Sequence, residues 1–566
     1  MRCLNLLALL TLSASFANGA QPEHSPGRSD RVLNAFREVG TYVLDVGDML
    51  NLNTIFDSIS SFPRAIVRPD GPPENLSNNK DSIPPTDSSE DPAIDQPGIT
   101  SSPTSGTIQP TAIVDSIPIR YVLPPGDVHS YQMTGIDTHG NGTNVYVTLN
   151  VCSGPTGSDG QLPLDNTSYP LLYAANSNIS DTPMLYNELT LGFSNITLYN
   201  TDSDVVIVDI VAPSLNSSFV GNWTYEVGVS SISPVQSVNA AAELFLVDTD
   251  FANALFVTAN YTQMPTFGQQ VNVSDYNIYI YPSAQMSQYQ LAYSYCAISS
   301  GPAVLNTNNS KVSTTTWGAG GMPKGQYFVN GLNKSTDYTA YLTMPNTNGG
   351  GGTVFQPVPF VTNSEEVCQL VFDLDFCSQV AFAVPGNATS FNPLTLATYY
   401  DSMAQDRYGN FTKSLQNIPC NTSEELSYSI FRTCDDCAQS YKDWLCAITI
   451  PRCMDWTAVQ SYLFPRPMGT SRNPNINQDL NPGPYKEILP CIDLCNNIVQ
   501  DCSAELGFVC PKTDNQGFSE SYGLPSDDGD VTCSYPGAFY FFSGSLRLSV
   551  SYSLLFLSMT LVLWFV

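Results

Sequence analysis

Thiols are the side chains of this sequence whose number and spacing could do chemistry. Of its 15 cysteines, Cys3 falls in the leader described below and 14 remain. Two stand apart, Cys152 and Cys296. The other twelve run from Cys368 through Cys377, Cys420, Cys434, Cys437, Cys446, Cys453, Cys491, Cys495, Cys502 and Cys510 to Cys533. Thiolates can hold zinc, exchange electrons or pair into disulfides. Cys434-x2-Cys437 has metal or redox spacing, but no histidine follows His139 to complete a mixed site. An even number of thiols behind a secretory leader is what complete pairing in an oxidising compartment requires, so disulfides are expected throughout. Whether Cys152 bonds Cys296 is left open by the sequence; such a bridge would join two β-rich regions into one body.

Other chemistries find no residues. The sequence has no G-x-S-x-G, no H-E-x-x-H and no Walker loop. His129 and His139 sit in or near expected turns, and no pair of carboxylates stands out as a glycosidase dyad. No catalytic, cofactor-binding or metal-binding residue is therefore assigned, and an enzyme is not expected. Charged residues make up 13% of the chain, with a net charge of −30. That balance argues against nucleic acid, which needs Lys/Arg patches. Asp435-Asp436 and Asp527-Asp528-Gly529-Asp530 lack the ligand spacing of an EF-hand loop and read as solvated loops.

Asparagines begin N-x-S/T sequons at Asn75, Asn141, Asn166, Asn178, Asn195, Asn216, Asn222, Asn260, Asn272, Asn308, Asn333, Asn387, Asn410 and Asn421. Behind a signal peptide they predict a glycosylated exterior. None follows Asn421, so the protein surface beyond it is expected to be bare and open to a partner.

The two ends set the compartment. Residues 1–20 carry Arg2, an apolar run from Leu4 to Leu12 and small residues near Ala17 to Ala20, the pattern of a cleaved secretory signal. Residues 541–566 are apolar to the last position, preceded by Ser543-Gly544-Ser545. Small residues, spacer and apolar tail form a GPI-attachment signal with Ser543 as the lipidated residue. A retained transmembrane helix is the alternative, and Arg547 shortens the span available to it. The expected location is the extracellular face of the plasma membrane, reached through the endoplasmic reticulum.

Between the ends, composition changes several times. Val32, Leu33, Phe36, Val39, Val43, Val46 and Leu50 recur at helical spacing and predict a helix across 31–60, capped by Asp30, within an N-terminal segment 21–67. Residues 68–111, rich in Pro, Ser, Thr and Asp, read as a linker. Residues 112–235 alternate with period two, as in Val145, Val147, Leu149 and Val151, and predict an antiparallel sandwich. Val205 to Val211 reads as a strand buried on both faces. A second β-rich region covers 236–362, with Asn348-Gly349-Gly350-Gly351-Gly352 as a hairpin tip. Residues 363–540 hold the cysteine cluster, with Ile488, Leu489, Ile492, Cys495, Val499 and Cys502 on one helical face. The fold class is α+β and multidomain: a β-sandwich-type ectodomain followed by a small disulfide-rich helical domain.

The cysteine cluster carries a resemblance. Cys437, Cys446 and Cys453 are spaced C-x8-C-x6-C, and Cys491, Cys495 and Cys502 are spaced C-x3-C-x6-C. Trp444-Leu445 precedes Cys446, Pro490 precedes Cys491, and Gly507-Phe508 leads to Cys510-Pro511. This resembles the Frizzled-type cysteine-rich domain. The resemblance implies the pairs Cys437–Cys502, Cys495–Cys510 and Cys491–Cys533. It also implies that Cys368 and Cys377 hold Cys453 and Cys446, with Cys420–Cys434 as an extra bridge. Met454–Pro490 is longer than that module usually carries, and Pro511 stands where an aromatic would be expected.

The whole layout, with the phrase Cys377-Ser-Gln-Val-Ala-Phe-Ala-Val-Pro-Gly-Asn387 before ten further cysteines, resembles the fungal MID-type stretch-activated calcium-channel component. That resemblance implies an accessory subunit of the CCH-type calcium channel. Its partner would be the pore-forming multi-pass subunit, engaged by the cysteine-rich module, with the plasma membrane held through the C-terminal anchor. A GPI-anchored receptor or adhesin binding a lipid or glycan through the same module is the alternative.

Overall fold

The computed structural model describes residues 110–537 apart from 137–142, 164–167, 177–183, 202–203, 261–272, 284, 286–289, 319–320, 348–349, 420–428, 430, 516 and 527–530. The leader 1–20, the helix expected across 31–60, all but the end of the linker, and 541–566 with Ser543 lie outside the described residues. So do Cys420 and the sequon residues Asn75, Asn141, Asn166, Asn178, Asn272 and Asn421.

Alternation through residues 111–230 yields β1 (Thr111–Ala112), β2 (Ile119–Leu123), β3 (Val128–Thr134), β4 (Thr143–Ser153), β5 (Leu171–Asn176), β6 (Leu185–Asn187), β7 (Phe193–Thr201), β8 (Val205–Val211) and β9 (Trp223–Ser230). They form two sheets, ordered β1-β3-β8-β5-β6 and β2-β9-β4-β7. Val145, Val147, Leu149 and Val151 share one buried core with Val206, Val208, Ile210, Trp223 and Tyr225. Burying these alternate side chains against a second sheet is what makes period two stable here. β8 buries one face fully and leaves the other half-buried, not both faces as its apolar run suggests. Its neighbours β3 and β5 are antiparallel, an arrangement that tolerates one outward face.

A second sandwich follows, with its own core. It comprises β10 (Gln236–Asn239), β11 (Leu244–Thr249), β12 (Asn253–Thr258), β13 (Asn277–Pro282), β14 (Leu305–Asn306), β15 (Ser310–Thr315), β16 (Lys324–Asn330), β17 (Asp337–Pro345), β18 (Gly352–Phe355) and β19 (Val358–Val361). One sheet runs β10-β18-β17-β13-β14 with β19 paired to β17, and the other β11-β12-β16-β15. Phe256, Tyr276, Ile280, Tyr327, Ala340 and Leu342 fill it. β17 and β18 form the hairpin whose tip the glycine run is expected to make, with Gly350 and Gly351 described and Asn348-Gly349 outside the described residues, and helix α1 (Tyr295–Ser300) interrupts the path from β13 to β14.

The remaining described residues mix helices with small sheets. Hairpin β20 (Cys368–Val371)–β21 (Phe382–Pro385) leads to α2 (Pro393–Leu415) and α3 (Cys434–Thr449). Then come β22 (Arg452–Met454), β23 (Leu463–Arg466) and β24 (Tyr485–Ile488), ordered β22-β24-β23, followed by α4 (Ile492–Asp501) and α5 (Phe518–Ser521). The chain is thus α+β, β-rich first and disulfide-rich helical last. Two local expectations change. Ile488 ends a strand, and α4 starts only after Pro490, with Cys491 as its N-cap. Val499 lies on the outer side and is 45% exposed, because the buried stripe runs through Leu494, Cys495 and Ile498.

Candidate functional site

Among the described residues, five bridges with both ends placed fix the module from Cys368 to Cys533. Cys368 bonds Cys453, Cys377 bonds Cys446, Cys437 bonds Cys502, Cys491 bonds Cys533 and Cys495 bonds Cys510. Cys434 is disulfide-bonded as well. The helices place these sulfurs. Asn392 caps α2 by accepting from Thr395 N, and Pro393 at the first helical position lacks an N–H that would be orphaned there. Thr433 and Asp436 form a reciprocal capping box at the start of α3. Asp435 and Asp436, read from sequence as a solvated loop, are therefore the first turn of that helix, where carboxylates complement the helix dipole. Hydrogen bonds from Thr433 hold the Asp436 carboxyl below its ordinary range.

Where the helices meet, aromatic rings interleave. Phe411 of α2 stacks on Tyr441 of α3 with centroids 3.6 Å apart, and Tyr408, Trp444 and Phe508 pack around the pair. Trp444 Nε1 donates to Tyr522 OH at 2.9 Å, so the indole's one polar atom is satisfied. Outside this layer two valines reach the surface among polar neighbours. Val509, beside the Cys495–Cys510 bridge, is 86% exposed, and Val499 lies one helical turn beyond Cys495. The long Met454–Pro490 stretch is folded inward by a buried carboxylate. Glu487 accepts from Arg466 Nε at 2.5 Å and from Arg472 Nε at 2.7 Å.

The module is seated on the second sandwich through charges the sequence did not flag. Asp248, at the end of β11, accepts from Arg452 Nε at 3.1 Å and from Ala383 N at 3.2 Å. The ion pair is nearly dry, with 7% of the Arg452 and 9% of the Asp248 side chain exposed. Asp250 accepts from Leu370 N at 2.9 Å, and from Ala252 N, Asn253 N and Asn253 Nδ2 in its own turn. Burial raises the Asp250 carboxyl above its ordinary value, and these bonds partly oppose the rise. Val247, Leu255, Val257 and Trp317 join Leu370 and Ala381 in an apolar cluster beside the pair. A buried charge tolerates that environment only when paired and fully hydrogen-bonded, so the two bodies are held in one orientation.

The other sequence-singled residues fall elsewhere. Cys152 bonds Cys296, answering the open question. These sulfurs lie near the Glu226 carboxylate, but sulfurs bonded to each other are not free thiolate ligands. His129 lies near a turn, as expected, at the start of β3, but it is half-buried, with Nδ1 2.7 Å from Tyr225 OH. Burial lowers its pKa. Of the described sequon residues, Asn195, Asn216, Asn222, Asn308, Asn333 and Asn410 are exposed, Asn387 is half-buried and Asn260 is buried. Among the described residues no helix is long and apolar enough to cross a membrane.

Comparison with known proteins adds the family. Residues 144–539 match the Mid1 model, described as a stretch-activated Ca2+-permeable channel component. The stretch-activated cation channel yam8 of Schizosaccharomyces pombe is 38% identical over 439 residues, covering 74% of this chain and 87% of that protein. The stretch-activated cation channel MID1 of Saccharomyces cerevisiae is 32% identical over 487 residues, covering 76% and 88%. Its namesake in Cryptococcus neoformans is 26% identical over 408 residues, covering 60% and 64%. The match begins in β4 of the first sandwich and runs through the second sandwich and the cysteine-rich module, and the chain belongs to the Mid1 family of stretch-activated Ca2+-permeable channel components.

Proposed function

We propose that this protein is an extracellular accessory subunit of a plasma-membrane calcium channel, promoting calcium influx when the cell is stretched or stressed. The observation that carries this reading is the disulfide-fixed module, locked onto the second sandwich by Asp248, Asp250 and Arg452. A face ordered before contact loses little conformational freedom on binding, which suits docking on a partner. Disulfides in this number also belong to an oxidising, extracytoplasmic setting. The docking surface of this reading carries the exposed Val499 and Val509, beyond the last sequon. The partner is the pore-forming multi-pass subunit, and the tether is the C-terminal segment, with Ser543 as the GPI-attachment residue. Pull-down from detergent-solubilised membranes tests the reading. The wild-type chain should bring down a large multi-pass channel protein, and Val509→Asp, delivered to the surface at normal level, should bring down much less. Equal capture by both would place docking elsewhere; capture by neither would favour a self-standing surface receptor or adhesin.

A further inference from the structure

The polar side of β4 is a place where alternation predicts water and the structure has protein. Thr148 and Asn150 are fully buried. Thr148 Oγ1 donates to Gln236 of β10, and Asn150 Oδ1 accepts from Tyr295 N at 2.9 Å. Both partners belong to the second sandwich. Leu291 and Ala297, from the insertion carrying α1, complete the core of the first sandwich. Tyr293 N donates to Leu191 O at 2.9 Å from the same insertion. Cys152 of β4 is then bonded to Cys296 of α1 across the same seam, 144 residues apart in sequence.

The glycine tip closes the seam from the other side. Gly350 and Gly351 have φ of +139° and +74°, a backbone that side chains resist. A Cβ on Gly350 would strike Pro118 of the first sandwich, one on Gly351 the Val235 carbonyl, and one on Gly352 the Tyr295 ring. Asn346 Nδ2 donates to Val235 O at 2.6 Å, and β18 then pairs in parallel with β10. A hairpin tip with any larger residue could not approach this closely.

We propose that the seam is a pinned joint. The Cys152–Cys296 bridge and the glycine tip hold the two sandwiches as one lever that moves as a unit, with the exposed Ile232–Pro234 connection relieved of load. The inference concerns conformation alone, so it stands or falls independently of the channel assignment.

Hydrogen exchange on the full-length glycoprotein tests it. In the Cys152→Ala/Cys296→Ala double variant, exchange across 231–239, 291–300 and 350–355 should rise at least about tenfold, the signature of local rather than global opening. Exchange in β3, β8, β16 and α3 should stay as in the wild type. Gly351→Ala should produce the same local pattern with the bridge intact on non-reducing peptide mapping. Unchanged exchange along the seam in the double variant would overturn the pin, and unchanged exchange in Gly351→Ala would overturn the role of the tip. A rise spread through both sandwich cores would make the bridge a folding element, which also contradicts the proposal.

Discussion

Arg452 sits beside Cys453, one of the bonded cysteines, yet its partner Asp248 lies 204 residues earlier. No local pattern in the sequence connects them, which is why this pair was not legible while the cysteines were. Arg452→Ala leaves Asp248 buried without its cation, and losses of about 3–5 kcal/mol follow when one partner of a buried pair is removed. Thermal unfolding of the variant should show that loss, with the module's disulfides still formed. Glu243 gives a second test. Its Oε2 is buried with no hydrogen-bond partner, and burial pushes its carboxyl up from 4.5 to about 7. The folded state therefore holds this proton more tightly than the unfolded chain. Its contribution is fully present below the unfolded value and is lost as pH rises through about 7. Glu243→Gln should flatten the stability profile between about pH 4.5 and 8 and gain on the order of 2 kcal/mol over wild type at the upper end, the full worth of the shift being reduced by solvent screening of a carboxyl that is not wholly enclosed. Parallel profiles in denaturant titrations would show that Glu243 is not buried as a free acid.

Helices and strands differed in how openly the sequence declared them. The alternation of Val145, Val147, Leu149 and Val151 gave β4 directly, because period two is dictated by the pleat. Its polar partners misled, since alternation shows only that one face is apolar, not that the other meets water. Asp435-Asp436 reads as a solvated loop when taken alone, yet Thr433 three residues before Asp436 is the capping signature that starts α3. Thr433→Ala should destabilise the module by about 1 kcal/mol, the usual worth of such a cap. Because the Cys437–Cys502 bridge anchors the start of α3, the change should appear as a small shift in melting temperature and not as loss of surface delivery. Failure to reach the surface would mean that α3 must form before the bridges close.

At the scale of the molecule, two sandwiches and a stapled module form a continuous chain of fixed contacts, from Cys152–Cys296 at one seam to Asp248–Arg452 at the next. The α+β class and the change from sheet to cysteine-rich helices were readable from composition and spacing. The seams were not, because each is built from single residues far apart in sequence. Exposure also sorts the sequons. Peptide mapping after enzymatic deglycosylation should find Asn195, Asn216, Asn222, Asn308, Asn333 and Asn410 occupied and Asn260 empty. An occupied Asn260 would require its strand end to open. Val499 and Val509 lie beyond the last sequon, and the proposed docking rests on them. The decisive measurement is stretch-evoked calcium uptake in cells lacking this chain and given back either wild type or Val509→Asp at equal surface level. Restoration by the wild type and loss of most of it in the variant is the predicted result. Full restoration by Val509→Asp, or none by the wild type, would contradict it.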